Sequence, residues 1–297
     1  MAAALKYAES YGRALSQMFP YFLNFGALYN TPNNNRYKWV DSKTIYIPSI
    51  STTGRVQANR DAIGLAARNY ENDWEPKTLV NERKWSTLVH PKDIDQTNMV
   101  ATIANITKVM NEEKKFPEMD AYCISKIYAD WVAQGGTADT TAPTTANILE
   151  KFDQMMLDMN NARVPRAGRI LYVTFEVFNL LKNAEGLQRT WSVQASVNGV
   201  NREVEALDGI PVIPVAAELM KTAYDFTEGW TPAQDAQQIN MVMIHPTAVI
   251  TPVSYTFADL DEPSAKTEGK YYYYEESFED VFILNKRVPA IAFNVTA

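Results

Sequence analysis

The sequence predicts an α+β fold, and three observations carry that prediction. Through the middle of the chain, from Asp95 onward, Met99, Ile103, Ile106 and Met110 recur at the spacing of helical turns. Helical and strand-like stretches then alternate over 137–244. Finally, 245–297 returns as strands, with a period of two in "KYYYYEESFEDVFILNKR" at 270–287. Helices and strands in separate runs are the signature of that class. No internal repeat is visible.

In chain order, residues 1–35 are aromatic but irregular and end in the polar run "NTPNNNR". An arm with so little periodicity is expected to lie on something else. "KTIYIPSI" at 43–50 is a strand, and Pro48 keeps it from a central position. Ser51, Thr52, Thr53 and Gly54 mark a turn. The charged stretch that follows holds two short strand candidates, "WEPKTLV" and "RKWSTLV". Together, 36–92 form a long two-stranded excursion with little core of its own.

The helical pattern over 96–134 is one long helix, or two collinear ones with a break at Phe116–Pro117. Pro117 suits a first helical position, and Glu118 and Asp120 suit a helix N-terminus. Ala121, Ile124, Tyr128 and Trp131 form its apolar face, and Gly135 with Gly136 stops it. "TADTTAPTTA" at 137–146 is a linker by composition. Asn147 with Glu150 then resembles a capping box for a helix through Asn160. Its stripe of Phe152, Met155, Met156 and Met159 fits core packing better than a promiscuous binding face. "RILYVT" at 169–174 is a buried strand, and "FEVFNLLKNAEG" a helix closed by Gly186. Two strands flank the Asp208–Gly209 turn signal in "EVEALDGIPVIPV", and "INMVMI" at 239–244 is another buried strand.

In the tyrosine-rich run, Tyr272, Tyr274, Phe278, Phe282 and Leu284 share one parity. Tyr271, Tyr273, Glu275, Ser277 and Glu279 share the other. Asn285, Lys286 and Arg287 interrupt the pattern before "VPAIAFNV" resumes it, which predicts a hairpin with Pro289 confining its second strand to an edge or its start. A platform for sugars or nucleobases is the functional alternative, but β-propensity alone produces such tyrosine runs.

Composition narrows the function. Hydrophobic residues make up 46% of the 297 and charged ones 21%, an ordinary globular balance. A net charge of −7 argues against a surface built to grip nucleic-acid phosphates. The single cysteine, Cys123, excludes an intrachain disulfide and lies in an apolar helical pattern as a small buried hydrophobe. Lys6, Glu9 and Arg13 interrupt the N-terminus, which does not resemble a signal peptide, and no window approaches the ~20 apolar residues of a membrane span. A cytoplasm-like folding compartment is expected, so the N-x-T triplets at Asn105 and Asn294 are accidental.

The search for chemistry finds no catalytic, cofactor-binding or metal site. The two histidines, His90 and His245, each precede a proline, which biases them to extended backbone, and Cys123 is remote in sequence from both. No metal, phosphate or nucleophile-elbow motif is present, although a dispersed Ser/His/Asp triad stays open. The acidic clusters "DID" at 93–95 and "DLDE" at 259–262 fit no calcium loop. Helix capping by Asp93 or Asp95 and a solvated loop at 259–262 are expected instead.

Six segments in order carry a family resemblance: "RKWSTLVHPKDIDQTN", "FPEMDAY", "RILYVTFEVFNLL", "LDGIPVIPV", "INMVMIHPTAV" and "EDVFILNKRVPAIAF". Together they resemble a tailed-bacteriophage major capsid protein of the Hong Kong 97 fold, over nearly the whole chain from Ser16. The resemblance implies an N-terminal arm at 1–35, an extended β loop at 36–92 and a spine helix at 93–136. It also implies an axial domain at 137–244 and peripheral-domain strands at 245–297. Implied partners are copies of the chain in hexamers and pentamers, a portal protein and a separate scaffold protein if any, around double-stranded DNA held without sequence-specific binding. The implied location is the virion, after synthesis in the host cytoplasm. Subunit-interface residues are expected at Arg55, Arg60, Asp61, Trp74, Glu75 and Trp85, on or beside the extended loop. No enzymatic activity, cofactor or membrane contact is expected.

The chain departs from the family where relatives often carry acids, at His90 and Gln96, so contacts of those acids do not transfer. Only about 35 residues precede the loop, and no built-in scaffold is expected. Lys77 and Lys84 lie in regions where some members form Lys–Asn cross-links, but no motif selects a pair and none is expected. A nanocompartment shell resembling encapsulins is the alternative with the same fold, and an unrelated α+β enzyme the alternative without it.

Overall fold

The computed structural model describes residues 21–34, 36–55, 57, 68–97, 101–184 and 206–296. A single turn, α1 (Gly26–Tyr29), leads into β1 (Lys38–Trp39), β2 (Thr44–Thr52), β3 (Tyr70–Thr78) and β4 (Glu82–Val89). β2 and β3 pair antiparallel from Thr44↔Thr78 to Thr52↔Tyr70. β1 covers β2 only at Ile45 and Tyr46, so Pro48 has a strand on one side alone and its missing N–H breaks no second ladder. The turn expected at Ser51–Gly54 comes later. Thr52 is still paired and the Thr53 N–H donates to the Asn69 carbonyl at 3.0 Å, because hydroxyl-bearing and β-branched residues sustain extended backbone. β4 does not belong to this excursion; its partner comes from the C-terminal part of the chain.

The helical region is segmented. α2 (Pro91–Gln96) is capped by His90, whose Nδ1 accepts the Lys92 N–H at 3.1 Å, so the cap expected of Asp93 or Asp95 belongs to the residue before the proline. The extended backbone that Pro91 imposes on His90 is the conformation an N-cap needs. α3 (Ile103–Met110) starts at a Thr102 cap, later than the helix expected from 96. It passes through a π turn, Asn111–Lys115, directly into α4 (Phe116–Ala133). The expected break at Phe116–Pro117 is therefore a widened turn. Pro117 has no N–H to give the carbonyl four residues back, and the π turn accommodates that loss. At the other end, the Gly136 N–H donates to the Trp131 carbonyl at 2.9 Å.

α5 (Ile148–Asn161) begins without the expected capping box. Asn147 is held in helical backbone by a preceding turn. Its side chain accepts the Thr144 N–H at 2.7 Å and donates to the Ala142 carbonyl at 3.1 Å, which leaves nothing for the helix. β5 (Ile170–Thr174) is buried throughout and feeds α6 (Phe175–Lys182), capped by Thr174; the Gly186 stop lies outside the described residues. β6 (Ala206–Leu207) and β7 (Ile210–Val215) flank Asp208 and Gly209, whose φ values of +50° and +78° make the expected tight turn. β8 (Tyr224–Asp225), β9 (Thr231–Pro232), β10 (Gln238–Ile244), β11 (Val249–Ile250), β12 (Val253–Asp261), β13 (Tyr271–Glu279), β14 (Phe282–Ile283) and β15 (Ile291–Thr296) complete the described chain.

The largest sheet has the order β15–β10–β5–β7–β6, with β5 and β7 parallel and the other pairs antiparallel. Its side chains sort by parity into two cores. Ile170, Tyr172, Val242, Ile244, Phe293 and Val295 join Ile124, Ile127 and Trp131 of α4. Leu171, Val173, Met241, Met243 and Val212 join Phe152, Met155, Met156 and Met159 of α5. The methionine stripe is thus core, and the sheet is the middle layer between α4 and α5–α6. Cys123 is buried in the first core. Asn294 is also fully buried and donates to the Asp139 and Thr141 carbonyls.

The predicted C-terminal hairpin does not form. β13 pairs with β12 on one side and β4 on the other, β14 pairs with β11, and β15 is the edge of the large sheet. Asp280 ends β13 by accepting the N–H groups of Val80 (2.8 Å) and Val281 (2.7 Å), and the 3₁₀ turn Asn285–Ala290, with Pro289 inside it, redirects the chain. Alternation therefore holds only as far as Phe278; Phe282 and Leu284 lie beyond the strand. "DLDE" is not a loop either. Asp259 and Asp261 pair with Tyr274 and Tyr272, because the long β13 ladder keeps β12 extended.

Candidate subunit interface

The β2–β3 hairpin has two unlike faces. On the inner face, Ile45 and Ile47 are buried, and with Leu79, Ile250, Phe278 and Phe282 they form a small core that anchors the hairpin base. Register places Glu75 and Asp73 on this same face, opposite Ile47 and Ser49. The outer face carries Tyr46, Pro48 and Ile50 opposite Pro76, Trp74 and Asn72, with Tyr70 at the end. Ile50 is 67% exposed, Tyr70 55% and Trp74 44%. Among the described residues, no layer of the chain buries this apolar surface. Two lysines tie the hairpin down: Lys77 donates to the Asn285 side-chain oxygen at 2.9 Å, and Lys286 to the Ile50 carbonyl at 3.0 Å.

A second apolar surface lies on the sheet β12–β13–β4. Tyr255, Phe257, Tyr272, Tyr274 and Leu88 share one parity across the three strands. Their rings form a ladder, with Tyr255–Phe257 centroids 6.4 Å apart, Phe257–Tyr274 6.2 Å and Tyr272–Tyr274 6.4 Å. Tyr255, Phe257 and Leu88 are exposed. The opposite parity meets the helix: Lys115 pairs with Glu275 at 3.0 Å, and Arg83 with Glu118 at 2.6 Å. Between sheet and helix lies a cavity of ≈ 460 Å³, lined by Trp85, Met110, Lys115, Met119 and Tyr122 among others. Burial raises the Glu279 carboxyl there, against the pull of Lys115, and burial with the Glu275 hydrogen bond pushes the Tyr273 hydroxyl up to about 12.

Of the expected interface residues, Arg55 is exposed just past β2 and Trp74 is exposed on the outer hairpin face. Glu75, beside Trp74 in sequence, is half-buried on the inner face. Trp85 is not on the hairpin: β4 pairs with β13, and its ring packs 5.7 Å from that of Tyr273. Arg60 and Asp61 lie outside the described residues. Sequence reasoning missed Ile50, Tyr70, Tyr255 and Phe257. The alternation in "YTFADL" was the available signal for the last two.

Among the described residues, no three His, Cys, Asp or Glu side chains come together as a metal site, and no helix is long and apolar enough to cross a membrane. His245 acts locally: Nε2 lies 3.0 Å from the Ala167 carbonyl and Nδ1 accepts the Thr247 N–H at 3.3 Å.

No protein-family model and no curated protein matches the chain. Solved structures do. The mature capsid of bacteriophage PhiM1 superposes with a TM-score of 0.67 at 16% identity, over 99% of this chain and 92% of that one. The capsid of cyanophage P-SCSP1u gives 0.65 at 8% identity, over 98% and 93%. The head of Helicobacter pylori bacteriophage KHP40 gives 0.63 at 11%, over 97% and 94%. At such identities the likeness is one of fold, and it spans hairpin, helix and sheets alike. The chain has the Hong Kong 97-like α+β fold of tailed-phage capsid proteins.

Proposed function

We propose that the chain is a major capsid protein, many copies of which build the icosahedral head shell around the double-stranded DNA of a tailed bacteriophage. The observation that carries this reading is the match to phage capsid chains over 97–99% of the sequence. The exposed apolar hairpin agrees with it, since a shell subunit finds its burial on its neighbours. In this reading 1–35 is the arm, the extended loop expected at 36–92 ends before β4, which joins β13, 93–136 is the spine, 137–244 the axial domain and 245–297 the peripheral strands apart from β15, which edges the large sheet. No chemical step is involved. Many modest contacts, repeated by symmetry, sum to a stable shell.

The interface is assigned to the outer hairpin face, with Ile50, Tyr70 and Trp74 as apolar anchors and Arg55 near its tip. Arg60, Asp61 and Glu75 stay with the loop in this assignment, whereas Trp85 serves the subunit's own packing. Partners in this reading are other copies in hexamers and pentamers, the portal, and a separate scaffold protein if any. The negative charge of −7 suits a wall that need not clutch DNA. Isolated phage heads should contain this 33.5 kDa chain as their most abundant protein, at its own mass on a denaturing gel, together with nuclease-resistant double-stranded DNA. Its absence from heads contradicts the proposal, and covalent ladders contradict the expectation of no cross-links.

A further inference from the structure

One strand of the structure is exposed on both faces and along one edge. β12 takes the outer position in the sheet β12–β13–β4, so among the described residues no strand lies against its far edge. Val253, Tyr255, Phe257 and Leu260 are 42–47% exposed, and Thr256 and Ala258 are exposed as well. An edge left open in this way is a template for another chain, and proteins blunt such edges with lysine, proline or bulges. β12, "VSYTFADLD", contains no lysine, arginine or proline. Its one bulge, between Val253 and Tyr255, leaves 255–261 in regular register.

That regular run is complementary to itself when reversed. Antiparallel pairing of two copies about Ala258 sets Tyr255 of one against Asp261 of the other, Thr256 against Leu260 and Phe257 against Asp259. Each carboxylate then faces a ring, the Tyr255 hydroxyl can donate to its acid, and the other face pairs uncharged side chains. Other registers are worse. Centring on Asp259 puts that acid opposite itself, and centring on Leu260 sets Asp259 against Asp261; like charges directly opposite destabilise a sheet. Centring on Phe257 runs the pairing into the bulge and shortens the regular ladder to 255–259.

We propose that β12 is a self-pairing strand: two copies of this chain join β12 to β12, antiparallel about Ala258, into one continuous sheet of order β4–β13–β12–β12–β13–β4. The two-fold axis runs through Ala258 normal to the sheet, so each face stays on its own side and the aromatic ladder continues from one copy to the next. This contact is isologous and uses none of the outer hairpin face. An isologous contact joins two copies and cannot by itself close a ring of five or six, so in the shell it links one ring to another. That placement rests on the capsid reading; the pairing itself does not.

The test is cross-linking of the whole chain by a short bismaleimide, with the native Cys123 buried and a new thiol placed on the exposed strand. Ala258→Cys should give a species of twice the chain mass about tenfold faster than Ser264→Cys in the exposed turn after β12, because pairing raises the local thiol concentration. Thr256→Cys and Leu260→Cys should cross-link when mixed and several-fold less when either is alone, which reads the register. Cross-linking at Ala258→Cys no faster than at Ser264→Cys, in the concentrated chain and in any shell it forms, overturns the proposal. So does a Thr256→Cys chain that links to itself as readily as to Leu260→Cys. Paired copies without shells would uphold the pairing and count against the capsid reading alone.

Discussion

The large sheet and the β2–β3 hairpin are built from similar strands but solve burial differently. In the sheet, both parities of β5 and β10 are covered, one by α4 and the other by α5. In the hairpin, among the described residues, Ile45 and Ile47 are buried, and the opposite parity leaves Ile50, Tyr70 and Trp74 exposed. The sheet is stabilised by its own chain. The hairpin is well paired but, among the described residues, keeps an exposed apolar face, an asymmetry that fits the proposed shell subunit.

The comparison can be broken from either side. Phe293 sits between Tyr128 and Trp131 with ring centroids 5.1 Å from each. Phe293→Ala should cost the dissociated chain about 3–5 kcal/mol in urea unfolding. A loss under ~1 kcal/mol would mean the sheet core is not what holds the subunit. Gly136→Ala tests the close of α4, where a Cβ would meet the Trp131 indole at 2.2 Å. About 1–3 kcal/mol of destabilisation is expected in the same assay. Trp74→Ser should change the dissociated chain by only about 0.5 kcal/mol, while the assembled fraction in sedimentation velocity falls sharply. Unchanged assembly would remove Trp74 from the interface.

A pH-dependent effect belongs to Asp139, at the edge of the sheet. Burial alone would raise its carboxyl, but hydrogen bonds from Lys151, Thr141 and Asn294 outweigh burial and hold it at about 2. A lowered value means a contribution present above the ordinary value of about 3.9 and lost as pH falls through about 2. The stability gap between wild type and Asp139→Asn should therefore close in acid unfolding below pH 4. A gap that stays constant would show that the ionised form is not what matters.

Elements buried entirely by their own chain could be read directly. β5, β10, α4 and the Asp208–Gly209 turn fall where apolar pattern and turn chemistry place them. Pairing partners could not be read, because alternation says which face a residue takes but not which strand lies alongside. The parity of Tyr272, Tyr274 and Phe278 continues into Phe282, so 270–295 looked like one hairpin, yet Asp280 cuts the strand by capturing two N–H groups. The same limit separated Trp74 from Trp85. Both stood out in a charged stretch, but only register shows that Trp85 pairs across from Glu275 and packs inward. Asp120 gave a helix-start signal, and its role as acceptor for the Asn24 and Phe25 N–H groups depends on tertiary contacts alone.

The central claim is that this surface is completed by further copies. Negative-stain microscopy of the purified chain, expressed alone and with the candidate scaffold protein of its own genome, tests it most directly. Closed shells, or rings of five and six subunits, are the predicted result. A chain that stays a small globular monomer at every salt concentration, with and without the scaffold, would contradict it.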